Sequence, residues 1–247
     1  MFYHLIFLLL FFSMPGNIIE DIGNKTPSLS DNESKSITVK KTPDFKISGD
    51  GSAKNWSLTD WIIIPQRDLE NAALVTKAKA LYSDKGIYFL FYCEDKILTA
   101  SMEEDFMDLW TEDVVEVFLM PDENIPAYFE YEISPLNFEL PILVSNYNND
   151  LTRWMPFHYD ADRKVIHATT IEGSTKKNNA TVKSWTAEFF IPFKLLRPLN
   201  NIQPVSGTKW KANFYRLDYD VNKTKWSWNL TETNFHDYKN FGSFFFE

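Results

Sequence analysis

Glu130 and Glu132 stand two residues apart in Tyr128-Phe129-Glu130-Tyr131-Glu132-Ile133-Ser134. On an extended chain that spacing points both carboxylates to one side, roughly 7 Å apart. Glu116 lies on a neighbouring apolar run, Val114 to Met120. Three carboxylates held together could supply a glycosidase acid and base, ligate calcium or clamp the hydroxyls of a sugar. A solvated polar sheet face is the plain alternative. Aromatic residues in polar loops add a second ingredient. Trp110 sits in Asp108-Leu109-Trp110-Thr111-Glu112-Asp113, and Phe235 in Thr233-Asn234-Phe235-His236-Asp237. Sugar rings carry apolar C–H faces that stack on aromatic planes, while carboxylates bond the hydroxyls at their edge. For Phe235 the competing role is to anchor its loop on the core.

Other chemistry finds less support. The chain has no Gly-x-Ser-x-Gly, no His-Glu-x-x-His, no phosphate loop and no zinc spacing. His4, His158, His167 and His236 are scattered, and each reads as a surface or packing residue. A haem site needs a Met or His pair, for which Met120 with a histidine is the weak candidate. The single cysteine, Cys93, lies in an apolar run and reads as an inert buried thiol.

Strands must position these residues. Ala78 to Tyr82 and Ile87 to Cys93 flank the turn signal Ser83-Asp84-Lys85-Gly86. Val114 to Met120 alternates, placing Val114, Glu116, Phe118 and Met120 on one face. Phe129, Tyr131 and Ile133 face opposite to Glu130 and Glu132. Trp185 to Ile191 and Trp210 to Arg216 alternate as well, and Val165 to Thr170 and Gly242 to Phe246 complete the set. A short helical turn fits Pro192 to Leu196. Strands at short spacing, without long helical patterns between them, predict an all-β, antiparallel sandwich.

Composition agrees. The 247 residues include 21 Phe, 11 Tyr and 8 Trp but only 8 Gly, a balance that suits pleated sheets. The net charge of −9, with no cluster of Lys and Arg, argues against a nucleic-acid partner. The apolar block Phe2 to Phe12 is short for a membrane span but suits a signal-peptide core, although no Lys or Arg precedes it. Residues 1–16 are therefore expected to be a signal peptide. Residues 17–43 are polar and read as a flexible linker. Residues 44–247 form the domain, in a mature protein that is secreted or held at the cell surface or in the periplasm, with no membrane span.

Leu109-Trp110-Thr111-Glu112-Asp113-Val114-Val115-Glu116-Val117-Phe118-Leu119 resembles the Trp-x-x-Asp-x-Val-Glu-Val-Phe motif of family 9 carbohydrate-binding modules. The hairpin Ala80 to Tyr88, Glu188 with Ile191-Pro192, the Ala212 to Arg216 strand and the close Asn234 to Gly242 are similar to that family in order. The resemblance runs from about Asp44 to the end. It implies an immunoglobulin-like β-sandwich with structural calcium, whose ligands it does not assign. It also implies a slot at one end of the sandwich, between two aromatic rings, that takes the end of a saccharide without catalysis. Trp110 falls on the first ring, Phe235 where the second is usually Trp, and Glu116 on a carboxylate that contacts hydroxyls. Glu130 and Glu132 fall where the better-known sugar binders carry Arg and Asn. A glycoside hydrolase using two of Glu116, Glu130 and Glu132 is the alternative function.

Overall fold

The computed structural model describes residues 34–247 other than 69, 70, 72, 148, 149, 198 and 221. The expected signal peptide, 1–16, and the first part of the expected linker lie outside them. Thirteen strands are present among the described residues. They are β1 (Ser36–Lys41), β2 (Ile62–Ile63), β3 (Thr76–Tyr82), β4 (Gly86–Glu94), β5 (Val114–Met120), β6 (Ala127–Ile133), β7 (Glu139–Tyr147), β8 (Asp150–Pro156), β9 (Ile166–Glu172), β10 (Ser184–Pro192), β11 (Lys209–Asp218), β12 (Thr224–Ser227) and β13 (Gly242–Phe246).

The hydrogen-bonded order is β8-β7-β6-β5-β11-β13-β1-β3-β4-β10-β9, with β12 added on β11 and β2 on β3. The ladder turns over at β1. The first half of that strand pairs with β13 and its end pairs with β3, both in parallel. All other pairings are antiparallel. The β8-to-β13 half and the β3-to-β9 half thus close on one another as a sandwich. Phe89 of β4 meets Phe214 of β11 at 5.9 Å between ring centroids, and Tyr131 of β6 meets Phe189 of β10 at 4.8 Å.

Alternation explains the inner faces. Val115, Val117 and Leu119 of β5, Phe129, Tyr131 and Ile133 of β6, and Trp185, Ala187 and Phe189 of β10 share the main core. The intervening residues of β5, β6, β7 and β11 point outward. There Val114, Phe118, Tyr128, Leu140, Ile142 and Tyr215 build a second buried cluster under the surrounding loops. Cys93 is fully buried, and burial pushes its thiol up to about 12.

One expectation changes. The segment 36–41, read as the end of the linker, is β1 and is integral to the sandwich. Ile37 packs against the core and Val39 is buried within it. This short alternation is hidden between polar neighbours. The all-β, antiparallel sandwich expected from the sequence is what forms, with β1 the strand that runs parallel to both its partners. Residues 193–197 form hydrogen-bonded turns, Leu195 N to Pro192 O at 2.9 Å among them, close to the short helical turn expected there.

Glu188, in the middle of β10, fixes the long loop after β1. Its fully buried carboxylate accepts from Ser48 N (2.9 Å), Ser48 Oγ (2.9 Å), Gly49 N (2.7 Å) and Trp56 Nε1 (2.8 Å). Gly49 has φ +88°, and a Cβ there would lie 2.8 Å from that of Ala168, so only glycine suits the approach. Glu188→Gln replaces an accepting oxygen by a donating amide facing donors. It is expected to cost roughly 2–3 kcal/mol, a fall in melting temperature of about 4–12 °C. A melting curve within a degree or so of wild type would contradict that role for the carboxylate.

Candidate functional site

The outward faces of β5, β6, β7 and β11 floor a cavity of about 550 Å³. Glu116, Glu130, Glu132, Ile142 and Leu217 form this floor. Trp110, Leu151 and Trp154 line it from the loop before β5 and from β8, and Thr231, Thr233, Asn234, Phe235 and His236 contribute from the loop before β13. Arg67, Lys223 and Lys225 line it as well.

All five residues singled out from the sequence, Trp110, Glu116, Glu130, Glu132 and Phe235, therefore border one cavity. Its floor is the outward sheet face, not an end of the sandwich. Register explains the carboxylates. Glu116 stands opposite Glu132 across the β5–β6 ladder, which sets their Cβ atoms about 4.5–5.5 Å apart. Glu130 is one step further along the same face. They are not a solvated polar face: Glu116, Glu130 and Glu132 are 3%, 4% and 0% exposed.

Burial raises all three. Glu116 is pushed well above the carboxylate range by burial and then by the charge of Glu130. Burial lifts Glu130 to about 8. Glu132 is raised by burial and by the charges of Glu116 and Glu130. Glu130 Oε2 and both oxygens of Glu132 are buried without a hydrogen-bond partner.

The rings are placed differently. Trp110 is half-buried, packs on the outer cluster and meets Trp154 edge-on at 5.2 Å and 79°. Its carbonyl accepts from Tyr219 Oη at 2.7 Å, which ties the loop to the chain after β11. Phe235 stacks on Tyr215 at 4.0 Å and 15°, and its carbonyl accepts from Tyr215 Oη at 2.8 Å. Phe235 thus anchors its loop and lines the cavity at once. One face of its ring is already taken by Tyr215.

Trp154 and His236 were missed in the sequence. Trp154 is 41% exposed on β8, between Arg153 and Met155 in a run without a clear alternation. A tryptophan close after Asp150, Thr152 and Arg153 was the available signal. His236 Nδ1 lies 2.6 Å from Tyr128 Oη and 3.8 Å from Glu130 Oε2. Burial lowers its pKa to about 4, so it is neutral beside the carboxyls at neutral pH. Met120 is buried in the outer cluster, together with Phe118, Tyr128 and Phe241.

A second group of acids lies at the end of β11. Asp95, Asp218 and Asp220 bring one oxygen each within 4.8 Å of one another. The fully buried Arg216 donates from Nη2 to Asp95 Oδ2 (3.1 Å) and Asp218 Oδ2 (2.6 Å), and stacks on Trp226 at 4.5 Å. Asp113 is raised by burial and then by the charges of Asp95 and Asp218. Burial takes Asp95 to about 7 and Asp220 to about 6, with Asp218 adding to both and Arg216 opposing. Asp95 Oδ1 and Asp220 Oδ1 remain buried and unbonded. Four acids facing one guanidinium leave a surplus of negative charge and free hard oxygen donors, a set that fits calcium.

Fold and site together define a β-sandwich with an open cavity of rings and carboxylates on one sheet face. Residues 47–247 match the family described as carbohydrate family 9 binding domain-like, and the chain belongs to that family. A candidate carbohydrate-binding protein from Bacteroides uniformis ATCC 8492 superposes with a TM-score of 0.73 at 18% identity, covering 87% of this chain and all of that one. A family 9 carbohydrate-binding module from Caldicellulosiruptor kristjanssonii, solved with cellotriose, gives 0.62 at 17% identity over 86% of this chain and 94% of that one. The same organism's module with glucose gives 0.61 at 17% identity, over 86% and 96%. A protein of Arthroderma benhamiae named "Extracellular protein" is 31% identical over 112 residues. That match covers 44% of this chain and 47% of the relative, so it spans about half the length of that protein.

Proposed function

We propose that the chain is an exported, non-catalytic domain that holds a saccharide end over Glu116, Glu130 and Glu132, against Trp110, Trp154 and the free edge of Phe235. The observation that carries this reading is the gathering of stacking rings and hydroxyl-bonding carboxyls in one open cavity. Membership of a carbohydrate-binding family and the relatives solved with cellotriose and glucose support it. Export rests on the apolar block at Phe2 to Phe12 and on the extracellular relative. Among the described residues, no helix is long and apolar enough to cross a membrane.

Hydrolysis is the weaker reading. A glycosidase needs two carboxyls whose surroundings push them apart, one kept protonated and one ionised. Here burial pushes all three upward together.

A glycan array probed with the full chain tests the function, and saturable binding to at least one saccharide is the expected result. Trp110→Ala should weaken that binding by about 1 kcal/mol, roughly fivefold. Its melting temperature should hold, because the ring is not in the core. Unchanged affinity would remove Trp110 from the site. Asp95, Asp218 and Asp220 are the residues that would hold a structural calcium. The ion would neutralise their charge and lock the end of β11 to the end of β4.

A further inference from the structure

We propose that the saccharide end taken by this cavity carries an amine, so that the ligand is an amino sugar whose ammonium group sits over Glu130 and Glu132. The inference rests on the saccharide reading above and narrows it. Its first ground is the state of the floor. Glu132 is wholly buried and lines the cavity, yet neither of its oxygens has a partner, and Glu130 Oε2 has none either. A neutral sugar would be served as well by Asn or Gln, which bring no charge to bury. Three buried acids side by side are costly unless a cation arrives to offset them.

The second ground is that, among the described residues, no Lys or Arg side chain is ion-paired with these carboxyls, although Arg67, Lys223 and Lys225 also line the cavity. Among the described residues, the basic group nearest in kind is His236, 3.8 Å from Glu130, and burial keeps it neutral. Arg67 is committed to Ser227, donating to its Oγ at 3.1 Å and its carbonyl at 2.6 Å. Lys223 lies over the Tyr219 ring at 5.0 Å, and its charge reaches Glu116 without closing an ion pair. A bare divalent ion is a poorer occupant. Among the described residues, the acid cluster with oxygens close enough to share one ion is Asp95, Asp218 and Asp220, not the glutamates. A ring that stacks on Trp110 or Trp154 while presenting an ammonium to the floor satisfies both walls at once.

The chemistry of binding is an exchange of protons. The ammonium enters charged, and a carboxyl that was protonated in the free cavity ionises and releases its proton to solvent. Isothermal titration of the full chain tests this, with saturating calcium and a pH near 6.5. The probes are the β-1,4-linked trimers of glucosamine, N-acetylglucosamine and glucose, in two buffers of different ionisation enthalpy. The glucosamine trimer is expected to bind at least about tenfold tighter than cellotriose, the worth of one charge-assisted hydrogen bond. Proton release should accompany the glucosamine trimer alone. In Glu130→Gln/Glu132→Gln the ratio of the two affinities should fall toward one. Melting curves establish that the variant is folded, and it loses only mutually repelling buried acids. Equal or tighter binding of cellotriose or of the acetylated trimer would overturn the amine and leave the saccharide reading standing. Saccharide binding by none of the three, together with a blank glycan array, would overturn the saccharide reading and this inference with it.

Discussion

Replacing Arg216 by Met is expected to destabilise the protein by about 3–5 kcal/mol, the usual cost of leaving buried charge without its partner. Arg216 is fully buried and is the one cation bonded to Asp95 and Asp218 among the described residues. Its Nη1 donates to Thr76 Oγ1 at 3.1 Å and to the Glu94 carbonyl at 2.6 Å, so it also joins β11 to β3 and β4 across the sandwich. The thioether of Met fills part of the volume against Trp226 but donates nothing. The loss should be smaller at pH 6.5 than at pH 8, because Asp95, raised by burial to about 7, carries less negative charge at the lower pH. Chemical denaturation at the two pH values reads both effects. A loss under 1 kcal/mol at pH 8 would mean that the acids do not depend on the guanidinium.

Removing calcium should make stability fall as pH rises from 6.5 to 8. The sign follows from the directions of the shifts. Asp95 is lifted from 3.8 to about 7 and Glu130 from 4.5 to about 8, mainly by burial, and Glu116, Glu132 and Asp113 move the same way. Between the ordinary and the raised value the folded chain binds more protons than the unfolded one, so raising pH costs stability. Starting at 6.5 matters, because burial lowers His167 and His236, which act with the opposite sign below the usual histidine value. One group displaced by one pH unit is worth about 1.4 kcal/mol, and several such carboxyls act in this window. Asp220, partly open to water, contributes less. Saturating calcium should restore stability, by about 2.7 kcal/mol at one hundred times its dissociation constant, and should flatten the share of the slope due to the aspartates. Thermal melts in chelator and in calcium at pH 6.5, 7.2 and 8 check this. A melting temperature that is indifferent to chelator, or that rises with pH in chelator, would contradict the assignment.

How much of this was legible beforehand depended on whether one face of a strand is buried. Val114 to Met120 and Tyr128 to Ser134 separate their core and outer residues with a period of two, so the shared face of Glu116, Glu130 and Glu132 could be read directly. That these acids are buried could not, since it depends on loops that fold back over the outer face. β1 and β8 escaped notice for related reasons. β1 is six residues long inside a polar segment, and β8 lies at the end of the ladder with much of its surface in solvent. The β7 run carries Pro141, which weakens a strand reading, yet pairs with Tyr131 in register. Trp110 stood out because a tryptophan in an acidic loop is unusual. Phe235 carried two roles, and only the structure shows Tyr215 stacked on one of its faces. The aspartate cluster was out of reach, because Asp95 is more than a hundred residues from Asp218 and Asp220 and only the β-sandwich brings them together.

The most direct test is a titration of the best array glycan into the wild-type chain and into Trp110→Ala/Trp154→Ala. Neither ring is in the core, so the variant should melt close to wild type. The account predicts one saturable site in the wild-type chain and an affinity lower by about tenfold or more once both stacking rings are gone. Equal affinity in a folded variant would place the sugar elsewhere on the molecule and contradict the cavity as its site.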